Sequence, residues 1–401
     1  MTAPQPTAVG VAPVVRGPIG VDGFWQPRRF AFWMLIFLLA NGAFSVISMF
    51  YQGSRVVPTA TILGIVVWAA YTAIPLLFFH SLDLFQQHPP LGYVLAFAWG
   101  GLGALYLAIP ANGAINSIVA KTTGSQDWAP AIAGPTTEEL LKYLGVILLV
   151  LIARTQFRTI LSVVAIGAVV GLGFQVIEDL DYTVNTAISI GSPNEVVPVL
   201  LTLAFRGIVS GLWSHALLTS ISAFGLGWFL VHKHKPLAQR LAVAAGAYAL
   251  AWLGHFFWNS PLLRTGNPYL DALTHGLPML LVGYLIWRLA GREEAGYLTG
   301  LADTYVDQEL ITADERKALA SLRYRRHLHK EAKKTYGRKA ARRYRTLQRR
   351  QLHLVLQYGQ HGPGGRTGQA ALEVQLARAD FAAKTGVPDL ASARTTAAAS
   401  V

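Results

Sequence analysis

Thr136-Thr137-Glu138-Glu139-Leu140-Leu141-Lys142 sets two adjacent glutamates and a lysine at the head of an apolar stretch. Either threonine can cap a helix starting there, and carboxylates in a first turn suit the helix dipole. One explanation is simple capping, with Glu138 pairing Lys142 at i,i+4. Yet Lys142 lies one turn deeper, where a cation needs a partner. Successive helical residues point about 100° apart. One glutamate can therefore face Lys142 while the other faces the interior. A carboxylate removed from bulk water takes up a proton more readily, which suits a general base.

Three further groups could act with it. Phe174 and Glu178 share a helical face at i,i+4. Asp179 and Asp181 beside them also allow Glu178 to be a solvated rim carboxylate. His215 stands in Ser214-His215-Ala216, and His255 shares a face with Asn259 at i,i+4. A neutral imidazole can bind a metal, shuttle a proton or donate to an oxyanion, and an amide one turn away suits the donor role. Two buried histidines bonded to backbone would be the structural alternative. Asp271 and His275 form another i,i+4 pair that equally suits a structural ion pair, so they stay outside the expected site. Arg206 is expected to pair with Glu195 or Asp179, or to reach outward. The chain has no cysteine, which excludes disulfides, thiolate metal sites and a cysteine nucleophile. Any metal must rest on His, Asp, Glu or Asn.

The elements that must position these groups are membrane helices. The 401 residues are 53% hydrophobic and 14% charged, against about 25% charged in a soluble domain. The expected fold class is all-α, a polytopic membrane bundle of about eight helices, each needing about 20 residues. Expected spans run over 30–51, 59–79, 91–109, 137–153, 160–180, 196–231 (broken near Gly207–Gly211), 241–258 and 269–290. Residues 1–28 read as a flexible arm and 29–291 as the membrane domain. The remaining 292–401 reads as a basic cytoplasmic tail, helical to about 358 and then largely disordered. Residues 1–290 hold 14 Lys/Arg against 10 Asp/Glu, and the tail 20 against 11.

Orientation follows from basic loop residues. Arg16, Arg28 and Arg29, then Arg154 and Arg158, then Lys233, Lys235 and Arg240, then Arg288 and Arg292 fall on one side of eight spans. That side is expected to be the cytoplasm, with both termini inside. Glu138, Glu139, Glu178, His215 and His255 then meet in the outer half of the bilayer. Ionisable groups at that depth are costly and mark function. A transporter or proton-coupled channel is the competing reading of the same cluster. The tail can attract anionic lipid at about 1 kcal/mol per basic residue. No specific nucleic-acid partner is expected.

The ordered set Glu138-Glu139-x-x-Lys142, Phe174-x-x-x-Glu178, His215 and His255-x-x-x-Asn259 resembles the PrsW family of intramembrane proteases over roughly Phe30 to Ala290. That resemblance implies hydrolysis of a peptide bond in a membrane-anchored protein of a bacterium, an anti-sigma factor being the associated substrate, on the outer side. Glu178 in place of a histidine suits that branch over the CAAX-type relatives. The resemblance leaves open a divalent metal such as zinc, on Glu178, His215 and His255, or a metal-free glutamate mechanism. In the expected mechanism Glu139, supported by Glu138 and Lys142, deprotonates water. His255 and Asn259 hold the oxyanion, and His215 and Glu178 complete a metal site or position the water.

Overall fold

A computed structural model describes residues 23–82, 90–191, 193–211 and 214–390. The chain divides into two units, one over Asp22–Ala290 and one comprising Met1–Val21 with Gly291–Val401. Most of the expected N-terminal arm lies outside the described residues.

The larger unit is an all-α bundle. Helices α1 (Phe30–Val56) and α2 (Pro58–Leu82) come first, followed by α3 (Pro90–Ala98), which continues through a π-helical turn into α4 (Leu105–Thr123). The short α5 (Ala129–Gly134) passes through a second π-turn, Pro135–Glu139, into α6 (Leu140–Ile152). Helix α7 (Ile160–Ile190) follows, then α8 (Val196–Thr202) with a third π-turn, Leu203–Val209. Helices α9 (His215–Val231), α10 (Leu237–Asn259) and α11 (Pro268–Tyr305) complete the unit's elements, α11 running on past Ala290. Six helices among the described residues are long and apolar enough to cross a membrane. The chain is a multi-pass membrane protein.

Each expected span coincides with one of these rods, though four are longer than hydropathy suggested. The third continues to Thr123, through Asn112, Asn116 and Lys121. The fourth begins at Ala129, the fifth reaches Ile190 and the eighth reaches Tyr305. The expected break in the sixth is present, between Val209 and His215.

The packing follows membrane rules. Phe37, Phe44, Ile47 and Tyr51 of α1 are exposed, while Leu35, Gly42 and Val46 are buried. Lipid-facing surfaces are as apolar as the interior, so helix association depends on close fit at small residues. Helix α7 is the centre: 94% of its most apolar window is buried. A Cβ on Gly100 would lie 1.9 Å from the Val170 carbonyl oxygen of α7, and one on Gly171 would lie 2.2 Å from that of His215. Only hydrogen at these positions lets the neighbouring backbones touch.

The π-turns have local causes. Pro135 lacks an N–H and crowds the preceding turn, which opens the helical ladder. In the third, Ser210 N–H donates to the Phe205 carbonyl at 2.9 Å, a five-residue step. Such turns often mark functional positions. Here one holds Glu138 and Glu139 and another holds Arg206.

In the smaller unit, α12 (Ala313–Ala320) starts at a capping box of Thr312 and Glu315. Helix α13 (Leu322–His361) is kinked at Gly337, where φ is +82°, a conformation that costs glycine little. Helix α14 (Gly365–Thr385) lies in the stretch expected to be largely disordered after 358, of which 391–401 lie outside the described residues. It is ordered because Ala370, Val374 and Phe381 bury one face, with the Phe381 ring 5.2 Å from that of Tyr344. Arg378 also bridges to Glu315 at 2.6 Å. Alanine and threonine around these positions hid the stripe from composition.

Candidate active site

The second π-turn, α7 and the first turn of α9 bring three of the expected groups together, and α10 adds the fourth. Glu139 and Lys142 are wholly buried, and Glu138, His215 and His255 nearly so. Lys142 Nζ donates to Glu139 Oε1 at 2.6 Å and to His215 Nδ1 at 2.7 Å. It also lies 4.7 Å from the Phe174 ring centre, an added cation–π contact. The i,i+4 pairing expected between Lys142 and Glu138 is loose, at 3.9 Å.

Each histidine is held from behind by a carboxylate. His255 Nδ1 faces Glu139 Oε1 at 2.9 Å, and His215 Nε2 faces Glu178 Oε2 at 3.0 Å. Both carboxylates accept an N–H, which leaves His255 Nε2 and His215 Nδ1 as lone pairs. Those two atoms lie 3.9 and 3.8 Å from Glu138 Oε2. The other Glu138 oxygen accepts from Asn112 Nδ2 at 2.9 Å, and Asn112 Oδ1 takes the Thr137 hydroxyl. Glu138 Oε2 itself is buried without a hydrogen-bond partner. An unmet buried carboxylate oxygen is expensive; Glu139 Oε2 is another, but Glu138 Oε2 is the one that faces both imidazole lone pairs.

It borders a cavity of about 230 Å³ lined by Glu138, Glu178, Arg206, His215, His255 and Asn259, among others. Glu139 does not line it. Glu139 faces Lys142 and His255, and Glu138 faces the open space. The π-turn causes this, since it re-aims side chains relative to the even 100° step of an α-helix. Gly134 forms part of the cavity wall. A Cβ there would meet Asn259 Nδ2 at 2.9 Å, His255 Nε2 at 3.3 Å and Glu138 Oε1 at 3.5 Å.

Arg206 is not paired with Glu195, which instead accepts the Ala60 backbone N–H at 2.8 Å. Its Nη2 donates to Glu178 Oε2 at 2.6 Å and its Nε to Asp179. Arg206 thus anchors the carboxylate that holds His215. Asp271 and His275 lie apart from the cavity. Asp271 accepts from Thr265, and His275 bonds the carbonyls of Asp271 and Leu262 at 2.8 and 2.7 Å. That is a staple for the loop before α11, made through the Asp271 carbonyl and not through the expected side-chain ion pair. Asn112, Gly134 and Arg206 were absent from the expected site. An amide inside an apolar run was the signal for Asn112, whereas a glycine leaves none.

The donor set suits a divalent cation. Two imidazole lone pairs and a free carboxylate oxygen converge, all within 4.8 Å of one another. Metal bonds of about 2.1 Å put tetrahedral neighbours about 3.4 Å apart, close to the spacing seen. A carboxylate behind each histidine is the usual support for a metal ligand. The convergent donors are those of Glu138, His215 and His255; of the expected Glu178, His215 and His255, Glu178 engages Arg206 and His215 through Oε2. Lys142 stands against one donor, His215 Nδ1.

A family model described as PrsW family intramembrane metalloprotease matches residues 88–288, half of the chain, and that stretch contains every residue of the cavity cluster. No curated protein and no solved structure matches.

Proposed function

The chain belongs to the PrsW family of intramembrane metalloproteases, and from that premise we propose that Glu138 is the carboxylate that activates water for cleavage of a membrane-anchored protein. The observation that carries this is the free Glu138 Oε2, buried yet open to the cavity. In this reading a water at Oε2 gives up a proton to it and adds to the carbonyl carbon of an unwound substrate segment. Asn259 Nδ2, which faces the space over Gly134, donates to the resulting oxyanion. Glu139, which accepts the His255 Nδ1–H, holds that ring beside the reacting carbonyl. The proton on Glu138 passes to the departing amide nitrogen as the C–N bond breaks, and the carboxylate is restored. Glu178 and Arg206 keep the His215 ring in place. Low local dielectric makes these fixed charges effective.

Glu138, His215 and His255 would hold a divalent cation, which would acidify a bound water and polarise the carbonyl. The substrate class follows from the depth of the site. With the basic loops inside, the cavity opens toward the outer leaflet, and both termini lie in the cytoplasm. A bacterial membrane-anchored anti-sigma factor fits that position. Arg323, Arg326, Lys330, Lys333, Lys334, Arg338 and Lys339 are exposed on α13 and suit contact with anionic inner-leaflet lipid.

The test is cleavage of a membrane-anchored reporter by purified protein, with products identified by mass. Glu138→Gln is expected to lower turnover by about 10²- to 10⁴-fold, the usual worth of a general base. Glu139→Gln, which only reorients His255 and Lys142, is expected to cost about 10- to 100-fold. Full cleavage by Glu138→Gln refutes the assignment.

A further inference from the structure

Lys142 Nζ and the lone pair that a cation would need meet at one atom. His215 Nδ1 accepts from Nζ at 2.7 Å, and the same Nδ1 is the atom that converges with His255 Nε2 on Glu138 Oε2. One ring nitrogen has one lone pair, so it serves the ammonium or a metal, never both. The ammonium also stands 3.9 Å from Glu138 Oε2, where an added divalent charge would be repelled across a buried, weakly screened gap. We propose that Lys142 is a built-in competitor for the metal, which enters only when the ammonium leaves His215 Nδ1. The proposal rests on Glu138, His215 and His255 being the donor set.

The structure also provides the alternative seat. Lys142 already holds Glu139 Oε1 at 2.6 Å, and Glu139 Oε2 is buried without a partner. An N–H released from His215 has that oxygen one atom away. The exchange breaks one N–H···N bond, forms one N–H···O bond and opens a neutral imidazole to the cation. No proton is gained or lost. Metal affinity is then reduced by the fraction of molecules in which Nδ1 is free. The lysine tunes how much of the protein is loaded at a given metal level.

Cobalt(II) titration of the purified full chain in detergent micelles tests this, read by the visible absorption of bound cobalt. Lys142→Met is expected to bind cobalt at least about tenfold more tightly than the unaltered protein. Removing a buried positive charge would by itself favour a cation. The double variant Lys142→Met/Glu139→Gln removes equal and opposite charges and keeps an acceptor for His255 Nδ1–H, so it isolates occupancy from charge. It also spares the fold an unpaired Glu139, and the same tightening is expected. His255→Ala is expected to abolish the spectrum. Equal or weaker binding by the double variant, with the His255→Ala loss intact, overturns the competition but leaves the donor set standing. No cobalt uptake by any form, in protein that still cleaves the reporter, overturns competition and donor set together and leaves the hydrolase reading untouched.

Discussion

Replacing Gly134 by alanine separates the chemistry of the cavity from the stability of the fold. Gly134 ends α5 with ordinary helical geometry, its φ being −51°, so alanine is conformationally acceptable and removes up to about 1 kcal/mol of glycine penalty. The added methyl group points at Asn259 Nδ2 from 2.9 Å and at His255 Nε2 from 3.3 Å. The tighter of these is the end of an amide side chain that also donates to the Pro130 carbonyl at 3.2 Å, and it can turn aside by giving up that bond. It turns aside from the place where the oxyanion is to be held. The methyl also fills space of the order of one water, about 30 Å³, in a cavity of about 230 Å³. Losing one oxyanion donor costs about 10²- to 10³-fold, and 10²-fold is about 2.7 kcal/mol of barrier. The expected result is a kcat lowered by about 10²-fold or more with an unchanged or higher melting temperature. Reporter cleavage and a thermal melt on the same preparation measure both. Wild-type turnover in a normally folded Gly134→Ala protein would refute the placement of the oxyanion over this glycine.

Two further outcomes follow from the geometry. Arg206→Ala strips the partner from Glu178 and Asp179 at once; breaking a buried pair this way costs 3–5 kcal/mol, and a partly exposed Arg206 side chain places the expected loss near the lower end, about 3 kcal/mol. A melting temperature equal to that of the unaltered protein would contradict it. Removing residues 306–401 takes away α12–α14, none of which lines the cavity, and is expected to leave reporter cleavage intact; complete loss of cleavage would place the basic helices in the machinery.

What the sequence disclosed depended on contrast. Glu138, Glu139, Lys142, Glu178, His215 and His255 stood out because a charge or imidazole in an apolar run has no cheap reason to be there, and the structure gathers all of them. Their division of labour was hidden. Which glutamate faces the cavity depends on the π-turn at Pro135–Glu139, and a hydropathy pattern carries no record of one extra residue in a turn. Asn112 was overlooked because an uncharged amide costs less at membrane depth than a charge and so stands out less, although it fixes Glu138. Of the two acids expected for Arg206, Asp179 is a partner and Glu195 is not; Glu178, the second partner, comes close only through tertiary packing. Span ends were misjudged where polar residues such as Lys121 continue a helix that composition had ended. Helix α14 was missed for the opposite reason, its buried stripe being mostly small residues.

The central position of α7 constrains how a polypeptide reaches Glu138. A helix enclosed along nearly its whole apolar length has no flank that can yield without dismantling the bundle, so it serves as a fixed mast carrying Glu178 and Phe174. Movement that admits a substrate must then come from the rods around it. Short α5, the π-turn at Leu203–Val209 and the end of α10 border the cavity. On the proposed function, a substrate would therefore reach Glu138 between α5, the Leu203–Val209 turn and α10.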